Sequence, residues 1–320
     1  MNTTPITFER NDMEYTLIGG AEKSSRPMEP EGFSILLLPR GGKPFRRELL
    51  AELDKLNCLE IISVEVGDGS VKSDDRGSTK SNIYTLRIKG NPSSGDIINV
   101  GIKEASGKFV FVLWSDMILP GDKISSRVFE KINERNNFCT VPFLSDGEKS
   151  LPACAVPLMN SQKEVDIVFH DDISQGSRTL FPYDFCGIYQ REKFISLGGY
   201  DHKISNPYWQ LLDLGFRAAL WGEIIPFQEA LKISYQGEIL TLDITPDKNY
   251  GRFFLKNQAV VVKYGMGRLP GYRLFSLLAK SRGNGLDTYR EFSFIRSWVK
   301  QNRKRFKWDV DRLLSQWKQS

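Results

Sequence analysis

Unbroken apolar runs bounded by turn residues recur through the first half of the chain: FSILLLP (Phe33–Pro39), LEIISVEVG (Leu59–Gly67), IYTLRIKG (83–90) and KFVFVLWSD (108–116). Their length and their β-branched and aromatic content predict buried strands. Between them, KPFRRELLAELDKL and SGDIINVGIKEASG place apolar residues at helical spacing, and Pro44 stands near the start of the first. The loop DGSVKSDDRGSTKSN separates the second and third strands. Strand, helix, strand, strand, helix, strand predicts an α/β fold whose mixed, mainly parallel sheet is covered by helices. Further on, SSRVFEKINERNN reads as a helix, and REKFISLGGYD and NPYWQLLDLGFRAALWG read as turn-helix units with Gly222 as a C-terminal stop. Between about 125 and 185 the other segments are short and mixed.

The first 30 residues read as an extension, with ITFERNDMEYTLI a candidate hairpin turning at Asn11-Asp12 and EKSSRPMEPEG a linker. The expected organisation is therefore an extension over 1–30, a main domain over 31–250 and a basic, amphipathic helical region over 251–320. Charge sets that last region apart. It holds 16 Lys+Arg against 4 Asp+Glu, so the net +5 of the whole chain hides a basic end and a mildly acidic remainder.

Composition excludes more than it identifies. The chain has 320 residues, 40% hydrophobic and 26% charged, with no stretch approaching a membrane span. Its first residues lack the apolar core of a secretory signal. Cys58, Cys139, Cys154 and Cys186 are far apart, and His170 and His202 are the only histidines, so neither a cysteine nor a histidine metal site is expected. A cytoplasmic protein with reduced thiols is the expectation.

The chemistry begins where the fourth apolar run ends in Asp116, because carboxylates at the C-terminal tips of strands in open α/β sheets face ligands. The stretch NVGIKEASGKFVFVLWSD carries Asn99-x-Gly101, Ala105-x-Gly107 and then a strand ending in acid. With FSILLLPRGGKPFRRELLAEL before it and LGGYDHKISNPYWQLLDLGFRAALWG after it, the chain from Phe33 to Tyr235 resembles family 2 glycosyltransferases. That resemblance implies a GT-A-like fold, a nucleotide-sugar donor, and a glycan or lipid-linked acceptor. It places Pro39, Glu65, Asn99, Trp114 and Asp116 at the nucleotide sugar, with Asp68 as a substitute for Glu65. It also makes Asp116 the ligand of a divalent cation, Mn or Mg, that offsets the diphosphate charge.

Against that pattern the sequence departs repeatedly. The Asp-x-Asp of the family is here Trp114-Ser115-Asp116. The acidic pair that supplies the base falls on Gln210 and Leu211, neither of which accepts a proton. Tyr235 stands where a late metal-binding His is common, and Ile98 replaces an Arg. Asp201, after the Gly198-Gly199 turn, is the candidate substitute base, with His202 and the Asp171-Asp172 pair behind it. Asp213 and Arg217, four apart on a helix, read as a surface pair.

A glycosyltransferase-like protein that has lost catalysis but binds a nucleotide sugar, a glycan or a partner enzyme is the alternative. The basic 251–320 region suggests peripheral attachment to anionic membrane. It contains no recognised nucleic-acid motif, so nucleic acid is not an expected partner.

Overall fold

A computed structural model describes residues 13–19, 32–40, 47–67, 82–119, 126–161, 164–174, 176–236, 241–245, 248–275 and 285–317. Asn11-Asp12, the EKSSRPMEPEG linker up to Glu31, Pro44 and Asp68 lie outside these residues.

The predicted apolar runs are strands β2 (Phe33–Leu38), β3 (Glu60–Val66), β4 (Asn82–Ile88) and β5 (Phe109–Trp114). All six residues of β2 and all six of β5 are buried, which is why both read as continuous apolar runs rather than alternating ones. The strands β4, β3, β2 and β5 lie side by side and parallel. Such pairing requires crossovers on the sheet faces. Helices α1 (Arg47–Asp54) and α2 (Ser94–Glu104) lie in two of the three connections. The second starts at a full capping box, in which the Ser93 hydroxyl and the Asp96 carboxylate each satisfy the other's backbone N–H.

The sheet continues beyond β5 through strands that the pattern left indistinct. An antiparallel β11 (Gly187–Gln190) bridges β5 to β7 (Cys139–Ser145), and β7 pairs in parallel with the long β12 (Ile225–Tyr235). Short strands β6 (Met117–Ile118) and β10 (Arg178–Thr179) pair with β12, and β8 (Cys154–Met159) and β9 (Val165–His170) form a separate hairpin. Helices α3 (Ser126–Arg135), α4 (Arg191–Leu197) and α5 (Pro207–Leu220) complete this half. Asn206 caps α5, and Gly222 follows its end at φ 88°, the left-handed conformation expected of a helix stop.

Strand β1 (Tyr15–Gly19), in the segment read as an extension, pairs antiparallel with Tyr84–Ile88 of β4 and forms that edge of the sheet.

The C-terminal region is helical only in part. Helix α6 (Lys248–Phe253) runs into a wide turn at Phe254–Gln258, followed by a hairpin of β13 (Val261–Lys263) and β14 (Met266–Arg268), then α7 (Gly285–Asn302) and α8 (Val310–Trp317). The hairpin turns at Tyr264-Gly265, both with positive φ. A single Tyr-Gly turn is a weak signal in a stretch rich in cations and aromatics, and this hairpin was not expected. The region is packed into the protein: Trp298 on α7 is buried, with its ring centroid 6.1 Å from that of Trp221 and near parallel to it. No helix among the described residues is long and apolar enough to cross a membrane.

Candidate functional site

The parallel register brings the strand-end residues into line. Leu37 lies opposite Ser63 and Leu38 opposite Trp114, so extending both ladders sets Pro39 between Glu65 and Ser115, with Arg40 opposite Asp116. The bonds confirm the extension: the Ser115 N–H donates to the Leu38 carbonyl at 2.9 Å, and the Arg40 N–H donates to the Ser115 hydroxyl at 3.0 Å. Pro39, Glu65, Trp114 and Asp116 are thereby gathered at the C-terminal edge of the sheet, where open α/β folds bind ligands.

The centre of this edge is a guanidinium. Arg40 Nε donates to Asp116 Oδ2 at 3.0 Å, while its two terminal nitrogens grip both oxygens of Asp184. The Trp114 ring lies against the same guanidinium, 4.0 Å from centroid to Cζ, and its indole N–H donates to the Asp184 carbonyl at 2.7 Å. Tyr235 completes the group by donating its hydroxyl to Asp184 Oδ2 at 2.9 Å. Tyr235 is held there because its own strand pairs Tyr235 with Met117, next to Asp116.

The sequence pattern singles out Asp116 and Trp114, and Tyr235 only as a departure from the family, and it does not single out Arg40 or Asp184. Arg40 carried a signal, being a cation two residues past the end of a buried strand. Asp184 had almost none. It precedes β11 and reaches the cluster through antiparallel pairing with β5 that no local pattern announces. Its backbone is also unusual, since Asp184 and Phe185 adopt φ 49° and 61° in succession. Left-handed φ is an outlier for a bulky residue such as phenylalanine and marks a conformation held by its surroundings.

Electrostatics follow from burial. Burial pushes the Asp184 carboxyl above its usual value, and Arg40 and Tyr235 only partly oppose this. Burial, then the neighbouring Asp184 carboxylate, pushes the Tyr235 phenol far up, so it stays a donor. Burial would lower the Arg40 guanidinium, but Asp184 and Asp116 more than offset it and keep the cation charged.

These residues do not fit the expected divalent cation. Asp116 and Asp184 face each other, but the space between them is spanned by Arg40, and Trp114 fills the place of the first carboxylate. Of the two carboxylates only Asp116 Oδ1 is buried without a donor, so a hard cation would find one protein oxygen here and would have to take its other ligands from water and phosphate. Among the described residues no group of three or more His, Cys, Asp or Glu side chains is arranged to hold a metal.

Glu65 ends its strand beside Arg87 on β4, which donates to it at 3.0 and 3.3 Å, leaving the carboxylate partly exposed at the sheet edge. Asn99 and Asp201 lie elsewhere. In place of the expected ligand contact, Asn99 gives both ends of its amide to the Tyr200 backbone, at 2.7 and 2.8 Å, clamping α2 to the Gly198-Gly199 turn. Asp201, the candidate base, is fully buried and accepts from Arg252 and Lys256, both at 2.7 Å. Burial alone would raise its carboxyl, but those two cations reverse the effect and hold it well below the usual range. An acid so placed is an anchor rather than a proton acceptor.

Lys256 also reaches Asp213 at 2.8 Å, and Asp213 meets Arg217 at 3.0 Å with both side chains fully buried. That pair is therefore a core ion pair and not a surface one. Gln210, in the base position, is likewise buried: its oxygen accepts from the Gly95 N–H at 3.2 Å and its nitrogen donates to the Ser93 hydroxyl at 2.8 Å. It acts as a second cap on α2, at an approach so close that a Cβ at Gly95 would fall 2.8 Å from the amide nitrogen. Asp171 and Asp172 are exposed beyond β9, away from any of these contacts.

No family model and no curated protein matches the chain. Solved structures do. GalNAc-T7, solved with UDP, GalNAc and Mn2+, is similar with a TM-score of 0.50 and 13% identity, over 86% of this chain and 57% of that one. S. aureus TarS 1-349 gives 0.46 and 16% identity over 90% and 91% of the two chains, and its UDP-GlcNAc complex gives 0.43 and 14% over 85% and 74%. The chain thus spans little more than half the length of GalNAc-T7, and at these identities the likeness is one of fold, resting on the GalNAc-T7 superposition. Parallel β4-β3-β2-β5 continued by the antiparallel β11 makes this a GT-A-like fold.

Proposed function

We propose that this chain binds a nucleotide-diphosphate sugar at the C-terminal ends of β2, β3 and β5, and passes the sugar to a glycan or lipid-linked acceptor without a divalent cation. Arg40 takes the cation's place. The observation that carries this reading is the guanidinium bridging Asp116 and Asp184 where a metal would be held.

A guanidinium has five N–H donors, and three are directed at carboxylates here. The remaining two suit phosphate oxygens, the anion whose geometry a guanidinium matches. A cation fixed in advance at the leaving group stabilises the negative charge that grows there as the sugar–oxygen bond breaks. Trp114 keeps Arg40 from swinging away, and Glu65 is placed for hydroxyls of the ribose or N–H groups of the base. The UDP in the GalNAc-T7 structure supports the donor class.

One observation favours a second reading, binding without transfer. The acceptor hydroxyl must lose a proton, and Gln210 and Asp201 are both committed to buried structural bonds.

Calorimetric titration with UDP, GDP and their sugar conjugates, in EDTA and in Mn2+, tests the proposal alongside Arg40→Ala. Binding that survives EDTA and weakens about tenfold to a hundredfold in Arg40→Ala is expected, the worth of a charged hydrogen bond. Binding that requires Mn2+, or ignores the substitution, overturns it. Binding with no consumption of donor in the presence of glycan and lipid-linked acceptors selects the second reading.

A further inference from the structure

A cleft of about 510 Å³ separates the β13–β14 hairpin from α7. Its charged lining is one-signed: Lys263 and Arg268 from the hairpin, Arg296 and Lys300 from α7, and Arg303 just past the helix end. On the helix these fall at i, i+4 and i+7, so they share one face. All five are exposed, and among the described residues none has an ion-pair partner. The nearby acid, Asp309, accepts from the Val262 and Arg312 N–H groups and is not part of the lining.

Five cations with no acid among the lining give the cleft a positive potential that favours an anion. The cleft is also built rather than loose. Gly267 lies so close to α7's following turn that a Cβ there would fall 2.5 Å from the Phe306 ring, and the Gly267 N–H donates to the Arg303 carbonyl at 2.8 Å.

Exposed aromatics lie in the same segment, Tyr272 in the lining itself. Tyr264 at the hairpin tip is 92% exposed, Tyr272 is 59% exposed and Phe275 is 72% exposed. Cations beside exposed aromatics form the pattern of a bilayer interface, where rings sit at headgroup depth and Lys or Arg meet phosphate.

We infer that this cleft binds the phosphate of anionic lipid headgroups, with Tyr264, Tyr272 and Phe275 entering the interface around it, so that the protein docks on an anionic bilayer through the hairpin and α7. The inference is independent of the nucleotide-sugar reading, because it uses none of the strand-end residues.

Flotation of the full chain with vesicles of phosphatidylcholine alone, and of phosphatidylcholine mixed with phosphatidylglycerol, tests it. Binding is expected to the mixed vesicles only, to fall with added salt, and to weaken roughly thirtyfold in an Arg296→Gln, Lys300→Gln double variant, about fivefold per charge. Phe275→Ser is expected to weaken it further while leaving the circular dichroism spectrum unchanged. Three results would each overturn the inference: no binding to the mixed vesicles at low salt, binding indifferent to the cleft variants, or glycerol phosphate bound by the free protein as tightly as the mixed vesicles are. The last would make the ligand a free phosphate compound. Equal or tighter binding of a single-stranded RNA, competing with vesicles, would assign the cleft to nucleic acid instead.

Discussion

Two clusters in this molecule are made of the same parts. At the strand tips, Arg40 joins Asp116 and Asp184. Under the C-terminal region, Arg252, Lys256 and Arg217 join Asp201 and Asp213. What separates them is solvent and how completely their carboxylates are paired. The second has every one of these side chains at 5% exposure or less, and its carboxylates accept from two cations each. The first has Arg40 partly open to solvent, an Asp116 oxygen without a donor and two residues in left-handed backbone. Groups that are buried and fully paired hold structure, and their disruption leaves an uncompensated charge. Groups that are half-open and incompletely paired are available to a ligand. Position alone suggested the opposite for Asp201, which follows a glycine turn where an acceptor would lie.

The largest expected effect breaks the buried cluster. Lys256→Met removes the cation shared by Asp201 and Asp213 and leaves each buried carboxylate a single cation, Arg252 or Arg217, at a cost of about 3 kcal/mol, read from urea unfolding. Arg40→Met, tested in the same way, is expected to cost less, about 2 kcal/mol, because Asp116 is partly open to water and the buried Asp184 carboxyl, already raised by burial, keeps the Tyr235 donor and can take up a proton. Equal losses from the two would abolish the distinction.

The two clusters also titrate with opposite sign. Asp201 has its carboxyl lowered by Lys256 and Arg252, so its contribution is fully present above the unfolded value of about 3.9 and is lost as pH falls below it. Asp184 has its carboxyl raised by burial, so what it contributes is fully present below about 3.9 and is lost as pH rises through its folded value. Asp201→Asn is therefore expected to flatten the acid limb of a stability–pH curve between about pH 5 and 2, and to cost several kcal/mol at pH 7. Asp184→Asn is expected to cost about 1 kcal/mol or less at pH 7, where burial already penalises its charge, and to make the acid limb steeper, because a group that takes up a proton on folding is removed. An Asp184 variant as damaging as the Asp201 variant would make the strand-end cluster a structural one.

These contrasts show which parts were legible in the sequence. The strands β2, β3 and β5 and helices α2 and α5 were, because each is long, apolar and punctuated by caps or turn residues, and hydrophobic periodicity is a local property. The strand-end position of Asp116 followed directly. What was not legible depends on pairing between distant segments. Asp184 reaches Arg40 across 144 positions, and Lys256 reaches Asp201 across 55. The sequence shows a carboxylate after a glycine turn but not the lysine that neutralises it. It shows that Gln210 cannot accept a proton, but not that its amide has been taken over to cap α2.

The smallest expected effect sharpens the comparison at the edge of the site. Glu65 is bound by Arg87 on the neighbouring strand, an arrangement that by itself resembles a structural pair. A cross-strand pair that is partly open to water contributes only about 0.2–1 kcal/mol, so Glu65→Gln is expected to leave unfolding almost unchanged. If Glu65 also meets the nucleoside, the substitution exchanges a charged acceptor for a neutral one and UDP binding should fall about tenfold, read by calorimetry in EDTA. Stability and affinity would then part company at one residue, which no purely structural role produces. A loss of stability with affinity intact would return Glu65 to the sheet and leave Arg40 as the group on which nucleotide binding depends.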